Sequence, residues 1–317
     1  MNIKKFIAAL LSLALLSGLS ACAGNSSDSN TVSSGSVSES SADASSDLKL
    51  PEEDWPVVDG ATAFLPFYTT ACAQILDKTE EEASRYVLCS TTDYAYPDLA
   101  DKKADLIFCF GPSDDQVEYA AGRGVSFEYV PLLNEAFVFF VNKNNPVDSV
   151  TVQQLHDIYA GKITNWKELG GNDEEIIAYQ RSEGSGSQTG LYKFVISKDE
   201  VAEPLIDRRI FTMEGIVDVV ANYDNARGGI GYSYLYFVKN QHYDENIKLL
   251  KVEGVSPDTH AISSGTYPMI NTAYAVFRSS ELQGSTVRQI AEWCAGQKAG
   301  KLAEGLGYVP YGAPEEK

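Results

Sequence analysis

The chain has 317 residues, 44% hydrophobic and 11% aromatic, which is enough for two domains with cores of their own and too apolar for a disordered chain. Its 25 Lys and Arg against 44 Asp and Glu leave a net charge of -19, and nothing resembles the basic stripe that a nucleic-acid partner requires. Charge of this kind bears on solubility and partners and leaves open what a cleft holds.

Lys4 and Lys5 precede an apolar run from Phe6 to Leu16, with small residues after it. That pattern is a signal peptide over residues 1–21, too short and wrongly flanked to span a membrane. Leu19-Ser20-Ala21-Cys22 resembles a bacterial lipobox, in which Cys22 is lipidated and anchors the chain to the outer face of the cell membrane. Residues 22–50 are dominated by serine and read as a flexible tether with a reach of about 30 Å. The other cysteines, Cys72, Cys89, Cys109 and Cys294, lie in apolar stretches without Cys-x-x-Cys spacing, so buried free thiols are expected.

Beyond the tether, strands and helices alternate, which implies an α/β fold. A short strand runs to Asp59-Gly60, and the turn Ala61-Thr62-Ala63-Phe64 leads into a helix started by Pro66, with Phe67, Ala71 and Ile75 on one face. A strand over Tyr86–Ser90, a loop with Thr91, Thr92 and Asp93, and a strand over Asp105–Phe110 follow. Ala136–Asn142 is another apolar run, and Thr151-x-x-Gln154 is a capping box ahead of a helix that stops at Gly161. Later strands are expected at Gly229–Tyr236, Ile247–Val252 and Ala273–Phe277, with a terminal helix burying Val287, Ile290, Ala291 and Cys294.

Between a β-like run at Glu175–Gln180 and a helix-like run through Leu191 and Phe194 lies Arg181-Ser-Glu-Gly184-Ser185-Gly186-Ser187. A Gly/Ser turn that opens a helix leaves N–H groups free where the helix dipole favours an anion, and Arg181 adds a planar fork of donors. A surface turn with a solvated arginine has the same composition. Catalytic chemistry finds no such foothold: His156, His242 and His260 lie far apart and show no metal-ligand spacing. Gly184-Ser185-Gly186-Ser187 has its serines in the wrong register for a nucleophile elbow. No enzyme activity, cofactor or metal is expected.

With these residues in view, the chain resembles the phosphate-binding lipoproteins that feed ABC transporters, in the periplasmic-binding-protein class. The resemblance rests on Gly60-Ala61-Thr62, Ile158 to Trp166 followed by Gly170-Gly171, Arg181 to Ser187, Ile230-Gly231-Tyr232, and Ser264 to Pro268, in that order. It implies a two-lobe fold of type II, each lobe a mixed sheet flanked by helices, with the ligand cleft between lobes. Residues 51–134 and 241–317 would form lobe I and residues 135–240 lobe II, the chain crossing near Leu133 to Ala136. The ligand would be held by Thr62, Ala63 and Phe64 on one side and by Arg181, Ser185, Gly186 and Ser187 on the other, with Thr91 and Thr92 as further donors. One departure stands out: phosphate binders commonly place an aspartate where Phe110 falls here, leaving Asp93, Asp114 and Asp115 as substitutes. The function implied is capture of inorganic phosphate by a monomer that delivers it to an ABC permease and its ATPase. The alternatives are a binding protein or sensor for another oxyanion or phosphorylated solute, and a surface interaction lipoprotein with a vestigial cleft.

Overall fold

The computed structural model describes residues 47–222 and 228–312; the expected signal peptide, Cys22 and most of the tether lie outside the described residues. In chain order the elements are β1 (Val58–Gly60), α1 (Leu65–Leu76), α2 (Glu80–Ala83), α3 (Thr91–Ala100), β2 (Leu106–Phe110), α4 (Asp114–Ala121) and β3 (Phe127–Asn142). Then come β4 (Ser149–Val150), α5 (Val152–Tyr159), β5 (Ile177–Ala178), β6 (Gln180–Arg181), α6 (Gly186–Phe194), β7 (Arg209–Ile210), α7 (Met213–Ala221) and β8 (Gly229–Tyr234). The last strands are β9 (Ile247–Leu249), β10 (Lys251–Val252), β11 (Ile270–Arg278) and β12 (Val309–Pro310), with helices at Thr259–Ser263, Thr286–Cys294 and Gln297–Leu306.

The main sheet has the order β1-β2-β11-β3-β8-β5, with β12 and β9 also on β3. It is mixed: β1 and β5 pair in parallel with β2 and β8, and β3 is antiparallel to β11 and β8. β3 belongs to both halves. Phe127 to Ala136 pairs with β11, and Phe137 to Val141 pairs with β8. One long strand therefore joins two sheet halves, each covered by helices, in a two-lobe α/β fold. Its second half, Phe137 to Val141, is fully buried, as expected of a strand covered on both faces.

Several elements differ from expectation for identifiable reasons. Tyr86–Ser90 is not a strand: only Val87 bridges to Val58, and the Ser90 N–H is taken by the Asp59 side chain at 2.8 Å. Thr91, Thr92 and Asp93 open a helix rather than sit in a loop, in spite of Pro97 inside it. β3 extends nine residues before Ala136, and a bulge seats Pro131 opposite Tyr274 where a ladder N–H is dispensable. Helical turns begin at Leu235, so β8 is shorter than predicted, and Ile247–Val252 divides between β9 and β10. The predicted terminal helix buries Val287, Ile290, Ala291 and Cys294 as expected, but a further helix follows it.

At the start, Asp47 to Leu50 was assigned to the tether. Those residues instead lie against α1: Leu48 and Leu50 pack on the core, and the Leu50 N–H donates to Ile75 O at 3.2 Å. Cys72, Cys109 and Cys294 are free and buried, and burial pushes the Cys72 thiol up to about 12. Cys89 is free but exposed, contrary to the buried reading.

Candidate functional site

β1 and β2 run in parallel, so their C-terminal ends lie at one edge of the sheet, where ligands of open α/β folds collect. The turn after β1 is fixed there by the Ala61 N–H, which donates to Phe108 O at 2.9 Å. Thr62 and Ala63 open a short 3-10 turn, so their N–H groups have no partner within it. The Phe64 N–H closes back onto Ala61 O at 3.0 Å. Asp59, buried at the end of β1, accepts the N–H of Gly60 at 2.7 Å, the N–H of Ser90 at 2.8 Å and the Ser90 hydroxyl. That carboxylate ties the start of α3 to the same edge. Thr91 there has φ +70°, a left-handed conformation that costs a β-branched residue about 1–3 kcal/mol.

From the other half, β6 ends at Arg181 and pairs with β7, placing the guanidinium beside the start of α7. Nε donates to Ile210 O and Nη2 to Phe211 O, both at 3.0 Å. Arg181 is 5% exposed, and its Nη1 is buried without a partner among the described residues. Burial pulls its pKa down from the usual arginine value, yet a guanidinium stays charged in a protein. Ser185 caps α6 by accepting the Gln188 N–H at 3.1 Å, which leaves the N–H groups of Gly186 and Ser187 as the free donors of that helix start.

These pieces enclose a cavity of about 120 Å³, lined by Thr62, Ala63, Thr91, Thr92, Arg181, Ser185, Gly186 and Ser187. Of the nine residues predicted for the site, eight are brought together. Phe64 is not among them: it is buried behind the cavity with its ring 4.7 Å from that of Phe110. The volume is far below the roughly 300–1,000 Å³ of pockets for drug-sized ligands, so the cavity suits a compact ion. Four helix starts converge on it, because Thr212, Met213 and Glu214 at the head of α7 also line it. Hydroxyls, free N–H groups, dipole ends and one desolvated guanidinium are groups that pair with the oxygens of an oxyanion.

The remaining wall is aromatic. Phe110 stacks on Tyr234 at 3.7 Å, and the Tyr234 hydroxyl donates to Gly186 O at 3.2 Å. None of the acids named as substitutes for the missing aspartate lines the cavity. Asp93 accepts the Ser182 hydroxyl at 2.8 Å, Asp115 pairs with Lys198 at 3.0 Å, and Asp114 lies exposed in the first turn of α4. The carboxylate that does line it is Glu214. Asp93 and Asp115 act instead across the cleft, tying α3 and α4 to Ser182 and to Lys198 in the turn after α6. Gly184 permits that approach, since a Cβ there would stand 2.2 Å from Asp93 Oδ1.

A family model for the PBP superfamily domain matches residues 51–297. The chain belongs to the PBP superfamily. Among relatives of this PBP-superfamily chain, the phosphate-binding protein PstS of Bacillus subtilis is 31% identical over 129 residues, 41% of this chain and 40% of that protein. The chain thus aligns with about two fifths of that relative's length. Protein SphX of Synechococcus elongatus is 23% identical over 80% of this chain and 76% of its own. The fold is shared with a phosphate ABC transporter substrate-binding protein of Clostridium perfringens solved with bound phosphate, at a TM-score of 0.63 and 19% identity, covering 80% of this chain and 98% of that one.

Sequence reasoning missed Phe211, Thr212, Met213, Glu214 and Tyr234. The head of α7 carried one usable signal: Thr212 ahead of an apolar run is an N-cap pattern, and its hydroxyl accepts the Gly215 N–H at 3.0 Å. The three histidines stay out of the site, His156 facing Asp157 and His242 facing Asp218.

Proposed function

We propose that this PBP-superfamily protein is an extracytoplasmic solute-binding protein that captures inorganic phosphate and delivers it to an ABC permease driven by its ATPase. The observation that carries the reading is the buried Arg181 guanidinium, whose Nη1 lacks a partner in a small cavity otherwise lined by hydroxyls and helix starts. A buried charge left unpaired is costly, and an oxyanion placed there offsets that cost. The names of the relatives, phosphate-binding PstS among them, and the phosphate in the Clostridium structure support phosphate as the ligand. Glu214 supports it further. A carboxylate contacts an oxyanion favourably only through a proton, which phosphate carries at neutral pH and sulfate does not.

The small volume argues against a phosphorylated solute with a large organic part, and the unpaired guanidinium argues against a vestigial cleft. Lobe I at residues 51–134 and 241–317, and lobe II at 135–240, remain our assignment of the domains, save that β9 and β10 pair with Phe140–Asn142 and Ser149–Val150 and so go with lobe II. Anchoring through a lipid on Cys22 and a monomeric state belong to the same proposal. Among the described residues no helix is long and apolar enough to cross a membrane.

The test is calorimetric titration of the protein, stripped of bound ligand by reversible unfolding, with phosphate and then sulfate. Phosphate binding at about -8 kcal/mol or better, near micromolar, with sulfate silent, is the expected result. Equal binding of the two, or of neither, refutes phosphate capture.

A further inference from the structure

Glu135 stands beside the point where β3 changes partners: Ala136 still pairs with Ile270 of β11, and Phe137 pairs with Tyr234 of β8. The side chain is 3% exposed. Its Oε1 accepts the N–H of Ala136 at 3.1 Å, and its Oε2 accepts the N–H of Tyr236 at 3.0 Å, two residues past the end of β8. β3 crosses between the sheet halves at this place, while the chain after β8 turns through Phe237–Gln241 and rejoins the second half of β3 as β9. One carboxylate ties the crossing strand to that turn.

The groups that face it are Lys239 from the helical turn Phe237–Gln241, Tyr234 of β8, Tyr236 beyond it, and Tyr308 ahead of β12. No cation forms an ion pair with Glu135 among the described residues, so burial dominates and pushes its carboxyl up to about 8, against the pull of the two N–H groups and Lys239. The link to the anion cavity is short. Tyr236 stacks on Tyr308 at 3.6 Å, and the Tyr308 hydroxyl donates to Ala63 O at 2.7 Å, on the turn that lines the cavity.

We propose that Glu135 is a proton-linked latch of the hinge: closing the two halves on the ligand takes up a proton from solvent at this carboxyl, and opening releases it. Hinge motion is absorbed by a few residues where strands cross between lobes; Ala136 lies at the crossing in β3, and Tyr236 opens the turn whose Gln241 Nε2 donates to Thr62 O at 3.0 Å, beside the cavity. Opening admits water to the carboxylate and returns it toward the ordinary range near 4.5. The protonated acid keeps one oxygen as acceptor and turns the other into a donor, so closure exchanges part of the double N–H bond for relief of a buried charge. A value raised in the closed form favours closure fully below the open-form value, and the advantage is lost as pH rises to the closed-form value of about 8.

The test follows the amide signals of Ala136 and Tyr236 in the full-length chain by NMR from about pH 5 to about pH 9, with and without saturating inorganic phosphate. The expected result is a midpoint near 8 with phosphate and at least one unit lower without it. Equal midpoints overturn the latch while leaving phosphate binding intact, because the Gly186 and Ser187 amides report binding separately. If those two amides do not respond to phosphate, the ligand assignment fails and the phosphate-linked latch fails with it. Glu135→Gln supplies a second arm. Relative to the variant, wild-type phosphate affinity falls by up to about tenfold per pH unit on approaching pH 8, and a constant ratio between the two proteins overturns the proposal. If Glu135→Gln does not fold, the amide titration of the wild-type chain decides alone.

Discussion

Replacing Arg181 by alanine removes the only cation among the described residues that line the cavity. Two of its five N–H donors are committed to Ile210 O and Phe211 O, and among the described residues Nη1 is buried and unpaired, so the ligand can draw on the two N–H groups of Nη1 and the second of Nη2 for charge-assisted bonds. At about 1.5–3 kcal/mol for each such bond, and with the ligand's charge left buried beside an apolar side chain, the expected loss is about 2–5 kcal/mol. That is about 30- to 4,000-fold in phosphate Kd. Calorimetric titration measures it directly, and thermal unfolding gives a second reading. Phosphate at about 100 times its Kd adds about 2.7 kcal/mol to wild-type stability, a rise of several degrees in Tm for a domain of this size, and Arg181→Ala keeps at most about a third of that rise at the same phosphate concentration. Arg181→Lys keeps the charge but cannot reach both carbonyls and the ligand with one ammonium, so it recovers only part of the affinity. Unchanged phosphate affinity in Arg181→Ala refutes the reasoning, because the unpaired guanidinium would then have no part in binding.

Glu214→Gln gives the cavity a neutral donor in place of an acceptor, so phosphate weakens and sulfate strengthens, each by about tenfold; calorimetry with both anions checks this, and an unchanged phosphate-to-sulfate ratio refutes it. Gly184→Ala puts a Cβ 2.2 Å from Asp93 Oδ1, which opposes closure across the cleft. Its phosphate affinity should drop by about tenfold or more with little change in Tm without ligand, and wild-type affinity would show that the two halves do not meet there. A maleimide should modify exposed Cys89 in the folded protein while Cys72, Cys109 and Cys294 react only on unfolding. Because Cys89 Sγ lies 3.7 Å from Thr62 Oγ1, phosphate should slow that reaction, and mass spectrometry of the labelled peptides reads both effects.

The parts of the site that could be read from sequence are those whose chemistry is local. Ser185, Gly186 and Ser187 follow a strand and precede a helix within a few residues, so composition announces free N–H groups at that helix start, while Thr62 shows as a hydroxyl at a second such turn and Ala63 follows from the family resemblance. The head of α7 was not legible, because it reaches the cavity only through the pairing of Gln180 and Arg181 with Arg209 and Ile210, some 29 residues away. Pairing at that distance leaves no local pattern. Two prolines concealed elements for a related reason: Pro97 made a helix look like a loop, and Pro131 hid the first half of β3, whose bulge exists only because β11 lies beside it. Phe110 was placed correctly at the cavity, but its partner Tyr234 lies on the far side of the hinge, so the aromatic wall could not be inferred from either residue.

The proposed anion binding by an acidic protein requires local potential to be separated from net charge, and this fold does so by engagement and distance. The acids around the cleft mouth are engaged, Asp93 by the Ser182 hydroxyl, Asp115 by Lys198, and Glu183 by Tyr192 and Lys198. The rest of the -19 charge acts through solvent, where about 8 Å of physiological electrolyte already screens it. Inside the cavity, neutral donors and one desolvated guanidinium act in a low dielectric, where each is worth more than in water, and the Glu214 carboxylate beside them meets the proposed ligand through the ligand's proton. The engaged acids do a second task. The bonds of Asp93 and Asp115 run across the cleft, while Glu183 is held within its own half, so two of the three engaged acids also hold the two halves together once the ligand is bound. Ligand selection and closure therefore depend on one set of contacts, which is why a single added methyl group at Gly184 is expected to disturb both.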